Sequence, residues 1–253
     1  MEFDGKAFVI MGATSGIGSV LCKSLAEHGA SLFMTGRDAA KLEELKSSLA
    51  FYEKHQTQVV TIDEDSYAAM QSALQNYVME YSLEGIDGAV YLPGVFPLIP
   101  LRMISKRNIS DVLEINFTGA IIMFKILTNK KTRHPNGMSL VAVSSVSAHK
   151  GQKGYSLYGA SKAALTSAVR SLALELAPQN IRMNCVCCAH METAINLQLA
   201  STMKAREETL KTQHPLGIGS PEDAVNAIMY LLSEKSKWIT GTEMIVDGGF
   251  LAG

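Results

Sequence analysis

Hydrophobic positions along this chain follow two alternating periods. The runs Lys6–Met11, Ser31–Gly36, Gln58–Asp63, Ile86–Leu92, Ser139–Ser145, Ile181–Cys188 and Thr242–Asp247 are short and largely apolar. Runs of that length and character suit strands buried on both faces. Between them a helical spacing takes over. It appears in Val20, Leu21 and Leu25, and in Leu42, Leu45 and Leu49 within Ala39–His55. Tyr67–Tyr81, Ile109–Leu127 and Tyr158–Leu176 continue the pattern. Gly29 stops the first of these helices and Pro178 ends the one that contains Tyr158. Ser220-Pro-Glu-Asp223 opens the last, with serine as cap, proline in the first turn and an acid three residues on. Strands and helices in strict alternation predict an α/β chain: a doubly wound, parallel, seven-stranded sheet with helices on both faces. The 253 residues show no repeat, linker or low-complexity tract, so the expectation is a single domain over 1–253.

Composition narrows the functional classes. Hydrophobic residues make up 47% of the chain, enough for a substantial core. A net charge of −1 argues against a nucleic-acid partner. No apolar run reaches membrane-spanning length, and the first strand begins too early to leave room for a signal peptide. The expected location is cytoplasmic. Cys185, Cys187 and Cys188 sit close together, but neighbouring strand positions face opposite ways and converge poorly on one ion. These and Cys22 are expected to be buried and reduced, with no metal site.

Two motifs carry chemistry. The first strand runs into Gly12-Ala-Thr-Ser-Gly16-Ile-Gly18 and then into a helix. Strand, glycine loop and helix form the unit that cradles a dinucleotide pyrophosphate: glycines permit close backbone approach, and the helix N-terminus meets the negative charge. The second motif is Tyr158-Gly-Ala-Ser-Lys162, with Ser145 thirteen residues upstream of the tyrosine. Positions four apart share a helix face, so phenol and ammonium should meet there. A nearby cation eases ionisation of a phenol from its usual pKa of about 10. The pair then suits general acid–base work on a substrate oxygen, which the Ser145 hydroxyl can also bond. Asn116 lies inside an apolar helix, where its amide needs a partner.

Together these residues resemble the short-chain dehydrogenase/reductase family, in its single-domain branch, with a pattern like that of 3-oxoacyl-carrier-protein reductases. The resemblance spans essentially the whole chain. It rests on Met11-Gly12-Ala-Thr-Ser-Gly16-Ile-Gly18, Glu114-Ile-Asn116-Phe-Thr-Gly119, Ser145, Tyr158 with Lys162, and Thr240-Gly-Thr-Glu-Met-Ile-Val-Asp247-Gly-Gly249. It implies a Rossmann fold and a catalytic set of Asn116, Ser145, Tyr158 and Lys162. Tyr158 would act as general acid or base, Lys162 would hold the nicotinamide ribose, and Asn116 would help keep a proton-relaying water. It also implies cofactor contacts from Gly12, Thr14, Ser15, Gly16, Ile17, Gly18, Asp63 (to adenine), Gly94, Tyr158, Lys162 and Thr193 (to the carboxamide). The implied assembly is a homotetramer, built on the last strand with its tail and on the long helices.

Cofactor choice turns on Gly36-Arg37. An acid at the end of the second strand would bond the adenine ribose hydroxyls, whereas glycine followed by arginine suits a 2′-phosphate. NADP(H) is expected, with NAD(H) as the alternative. The expected substrate is a small carbonyl compound or secondary alcohol under a lid over 190–215, where Met191, Ile195, Leu199 and Met203 repeat every four residues. A sugar or sterol hydroxyl dehydrogenase and a non-catalytic dinucleotide-binding regulator remain as alternatives. Three positions depart from the family pattern: Met11 before Gly12, Leu92-Pro93 before Gly94, and Cys188-Ala189 after the sixth strand.

Overall fold

The computed structural model describes residues 1–60, 64–192 and 212–253. Seven parallel strands form one sheet in the order β3-β2-β1-β4-β5-β6-β7. They are β1 Ala7–Met11, β2 Ser31–Gly36, β3 Gln56–Val59, β4 Gly88–Tyr91, β5 Met138–Ser145, β6 Ile181–Cys188 and β7 Glu243–Val246. Every residue of β1, β4 and β5 is buried, which is why these strands read as unbroken apolar runs.

The helices are α1 Gly16–Glu27, α2 Ala39–Ser47, α3 Glu64–Glu80, α4 Lys106–Leu113, α5 Gly119–Leu127, α6 Ser156–Leu176 and, last, α7 Pro221–Leu232. Leu21 and Leu25 of α1, Leu42 and Leu45 of α2, and Ala224 and Ile228 of α7 cover one face of the sheet. Met70 and Leu74 of α3, Met123 and Phe124 of α5, and Leu165 and Val169 of α6 cover the other. Each face thus has its own apolar core, as a doubly wound sheet requires. The start of α7 is capped as expected, by reciprocal bonds between Ser220 and Asp223 with Pro221 in the first turn.

Three elements differ from the sequence expectation. The helix expected over Ala39–His55 stops at Ser47. Ser47 and Ser48 turn their hydroxyls onto the carbonyls of Glu43 and Leu45, and Phe51 adopts φ +55°, which no helix continues through. β3 begins at Gln56 rather than Gln58; it is an edge strand whose one strand neighbour is β2, and its Thr57 hydroxyl bonds Glu43 of α2. The helix expected over Ile109–Leu127 is continuous but begins at Lys106, and a wide π-type turn at Glu114–Thr118 divides it into α4 and α5. Turns of this kind insert an extra residue into a helix and gather at functional sites. Asn116 is at its centre.

Candidate active site

The C-terminal ends of β1, β4, β5 and β6 open on one side of the sheet. Between β1 and β4 the chain order reverses, so the sheet has its switch point there, the usual place for a ligand crevice. The loop after β1 enters it. Gly12 has φ +77°, and a side chain there would meet the Pro93 ring at 3.3 Å. Ser15 caps α1 by accepting from the Gly18 N–H at 3.1 Å. A Cβ on Gly18 would lie 2.3 Å from the Gly12 carbonyl oxygen, so only glycine closes this loop. Thr14, Ser15, Gly16 and Ile17 line the turn, and the N–H groups of Gly16 and Ile17 open α1, where a helix N-terminus attracts an anion. This cradle fits a dinucleotide pyrophosphate.

The departure at Leu92-Pro93 changes the local wiring in a definite way. Leu92 packs against the apolar core under α1 and donates its N–H to Met11, while Pro93 rests on Gly12. Apolar contact stands where the family's asparagine would bond backbone. At the other departure, Ala189 donates to the Val246 carbonyl at 3.0 Å, extending the ladder between β6 and β7.

β5 ends in two hydroxyls with different surroundings. Ser144 bonds the Lys162 carbonyl at 3.2 Å and the Thr166 hydroxyl at 2.9 Å, locking β5 to α6. Ser145 Oγ instead accepts from the Ser147 N–H at 3.2 Å, and its hydroxyl lowers the Tyr158 pKa. Tyr158 and Lys162 lie one turn apart on α6, as expected. The ammonium also has a main-chain partner. Lys162 Nζ donates to the Val143 carbonyl at 2.8 Å and lies 6.0 Å from the Tyr158 ring centre. The expected lowering of the phenol pKa is not found: burial pushes Tyr158 up to about 12, partly opposed by the Ser145 hydroxyl. Burial moves Lys162 the other way, from 10.5 down to about 8. The folded chain thus holds this proton less tightly than the unfolded chain does. The resulting cost to stability is full below about pH 8 and fades as pH rises to 10.5.

Asn116 is fully buried, and its amide is almost fully used. Its Oδ1 accepts from the Val95 N–H at 2.8 Å. Its Nδ2 donates to the Val95 carbonyl at 2.8 Å and to Ser161 Oγ at 2.9 Å. Ser161 in turn donates to the Tyr158 carbonyl at 2.7 Å. Gly94 completes the group, since a Cβ there would sit 3.2 Å from Lys162 Nζ and 3.5 Å from Asn116 Oδ1. Asn116, Gly94, Ser145, Tyr158 and Lys162 therefore form one connected cluster. Val95, Val143 and Ser161 also belong to it; their links are long-range, and no spacing in the sequence marks them.

Arg37 follows β2 and is exposed, while Asp38 caps α2 by accepting from the Lys41 N–H. Gly36 lies against the glycine loop, where a Cβ would meet Thr14 Oγ1 at 3.3 Å. Asp63, Thr193 and nearly all of the expected lid, including Ile195, Leu199 and Met203, lie outside the described residues. Of the lid's apolar stripe, Met191 is described; it is buried in the core under α1 and α7.

All four cysteines are free and buried. Burial raises Cys187 to about 11 and Cys188 to about 12, so both stay thiols at neutral pH. Among the described residues, His149, Cys187 and Glu243 bring three donor atoms within 4.8 Å of one another. Both oxygens of Glu243 are already engaged, one by His149 at 2.7 Å and the other by Arg170. No described helix is long and apolar enough to cross a membrane.

Comparison with known proteins agrees with this geometry. A family model described as Enoyl-(Acyl carrier protein) reductase matches residues 12–251. The 3-oxoacyl-(acyl-carrier-protein) reductase FabG of Aquifex aeolicus is 30% identical, covering 98% of this chain and 98% of its own. The 2,3-dihydro-2,3-dihydroxybenzoate dehydrogenase of Escherichia coli is 31% identical over 100% of both chains. A solved short-chain dehydrogenase/reductase from Brucella melitensis, named a glucose/ribitol dehydrogenase, superposes with a TM-score of 0.89 at 28% identity over 98% of each chain. With a family match from end to end, on a seven-stranded parallel sheet and a glycine loop of the required form, the chain belongs to the short-chain dehydrogenase/reductase family of oxidoreductases.

Proposed function

We propose that this protein is an NADP(H)-linked oxidoreductase that interconverts a carbonyl and a secondary alcohol, in the manner of the 3-oxoacyl-carrier-protein reductases it resembles. The observation that carries the reading is the convergence of Ser145, Tyr158, Lys162 and Asn116 beside the glycine loop. A reduced nicotinamide dinucleotide held by that loop supplies a hydride. Gly12, Thr14, Ser15, Gly16, Ile17, Gly18 and Gly94 hold it, with Asp63 and Thr193 assigned to its adenine and carboxamide ends. Ser145 bonds the substrate oxygen and stabilises the charge that develops there. Tyr158, protonated throughout the neutral range, gives its proton to that oxygen in reduction and takes it back in oxidation. Lys162 supplies positive charge beside the phenol and the ribose site. Asn116 fixes the Val95 backbone at the edge of the site and holds the relay water. The intact Ser145, Tyr158 and Lys162 count against a purely regulatory role. NADPH oxidation assayed with diketones, acetoacetyl esters, sugars and sterols tests the reading; no turnover with any of them, with either cofactor, would overturn it.

The cofactor preference rests on Arg37. With Gly36 in place of an acid, nothing repels a 2′-phosphate, and the guanidinium fork suits it. A charge-assisted contact is worth about 1.5–3 kcal/mol, or about ten- to a hundredfold in affinity. Exposure and salt place Arg37 at the lower end of that range. NADPH should bind about tenfold tighter than NADH, and Arg37→Ala should remove most of the difference. Fluorescence titration of both reduced cofactors decides it; equal affinities in the wild type would make the enzyme NAD-linked.

A homotetramer belongs to the same reading. An apolar depression runs between Phe117, Ile121 and Ile122 on one helix and Ala168, Ser171 and Leu172 on α6. Leu174 and Trp238 are 78% and 96% exposed, unusual for such side chains outside an interface. Light scattering at micromolar concentration should give four times the 27.3 kDa chain mass; a monomeric mass would refute it. The cytoplasmic location also stays with this reading, supported by the four unpaired thiols.

A further inference from the structure

We infer that Phe96 and Tyr155 form an aromatic subsite beside Tyr158, and that the preferred substrate carries its carbonyl on, or one carbon away from, a flat unsaturated ring. This rests on the carbonyl-reductase reading above and names its substrate class.

The subsite is built from both sides of the crevice. The Phe96 ring meets the Tyr158 ring edge-on, with centroids 6.2 Å apart and planes at 66°. The Tyr155 ring does the same from the start of α6, at 6.0 Å and 62°. The proton donor therefore sits between two further rings, with no charged side chain in these contacts. Phe96 is 38% exposed and Tyr155 half-buried, so both still have surface to offer a ligand.

The wall is also preorganised. At one end of the loop Asn116 holds both peptide groups of Val95. At the other, the Ile99 N–H donates to the Gly154 carbonyl at 2.9 Å. Pro97 stiffens the span between these two anchors. Burial alternates along it: Val95, Pro97 and Ile99 are half-buried, while Phe96 and Leu98 are exposed on the open side. That is the pattern of an extended segment with one face turned outward. Leu98 packs on Gly154, which has φ +81° and where a Cβ would come within 2.8 Å of Leu98 Cδ1. A wall fixed at both ends favours a rigid flat ligand. A flexible acyl chain must be ordered against it, at an entropic cost that a ring avoids. Edge-to-face and offset-stacked contacts with the two rings add an attraction that a saturated ring of the same size lacks.

The matched probes are 1-phenylpropan-2-one and 1-cyclohexylpropan-2-one, in which the carbonyl is unconjugated and only the ring differs. The wild type with NADPH should reduce the phenyl ketone with a kcat/KM about tenfold higher. Phe96→Leu and Tyr155→Leu should each narrow that ratio, and the double variant should bring it close to one. A wild-type ratio near one, or variants that lower both rates equally, would overturn the subsite while leaving the reductase intact. If neither ketone turns over, calorimetry on the NADPH-loaded Tyr158→Phe protein still decides. Tighter binding of the phenyl ketone, lost in Phe96→Leu, supports the subsite and leaves only the reaction in error. Equal binding overturns the subsite.

Discussion

Tyr158→Phe is expected to reduce turnover by about 10³-fold or more while the dinucleotide binds as before, because in the proposed reaction its hydroxyl is the general acid. A loss of that size corresponds to about 4 kcal/mol of transition-state stabilisation. The substitution leaves the ring and its edge contacts with Phe96 and Tyr155 in place, so the fold should tolerate it. The same assay has a pH signature in the wild type. Tyr158, pushed to about 12, stays protonated across the accessible range. Lys162, lowered to about 8, loses its charge as pH rises through that value. The kcat/KM for carbonyl reduction should therefore be level below about pH 8 and fall above it with the loss of one proton. Full activity in Tyr158→Phe would remove the phenol from the reaction. A rate that climbs steadily to pH 10 would show that the lysine charge is not used.

Gly18→Ala should damage both the fold and dinucleotide binding. The added carbon would lie 2.3 Å from the Gly12 carbonyl, 2.8 Å from Ser15 Oγ and 2.9 Å from the Ala13 carbonyl. Two of those three are backbone atoms of the loop itself, so relief requires the loop to open. Overpacking of this kind costs about 1–3 kcal/mol of stability. Opening also spreads the N–H groups that cradle the phosphates, and dinucleotide affinity should drop about a hundredfold. Gly151→Ala is the control: nothing lies within 4 Å of a Cβ there, and neither melting temperature nor affinity should move. Cofactor titration and thermal denaturation of both variants check this. A Gly18→Ala protein that binds NADPH normally would mean that the loop is not the phosphate site.

The fold was legible because its signals are local. Apolar runs of strand length, serine caps and the proline after α6 act within a few residues, and alternation then dictates a parallel sheet. The glycine loop was legible for the same reason, since its closure depends on contacts between Gly12, Ala13, Ser15 and Gly18. What the sequence hid is what depends on distant partners. Apolar periodicity runs smoothly through Ile109–Leu127 and gives no sign of the π-type turn around Asn116, whose amide reaches across to Val95. Spacing placed Lys162 beside Tyr158 but could not show the Val143 carbonyl that holds its ammonium. Phe96 and Tyr155 both stood outside any motif. Their common role depends on two chain segments meeting over α6.

The bonds between Asn116 and Val95 bear on how such an enzyme can change over time. A side-chain amide that accepts from one N–H and donates to the carbonyl of the same residue behaves as a one-residue strand. It satisfies the chain just past β4 without lengthening the sheet, and so keeps the crevice from zipping shut. The second anchor, Ile99 to Gly154, is main chain on both sides. Neither anchor reads the identity of residues 96 to 98. The exposed Phe96 side chain can therefore be exchanged by mutation while the loop keeps its course, at little cost to folding.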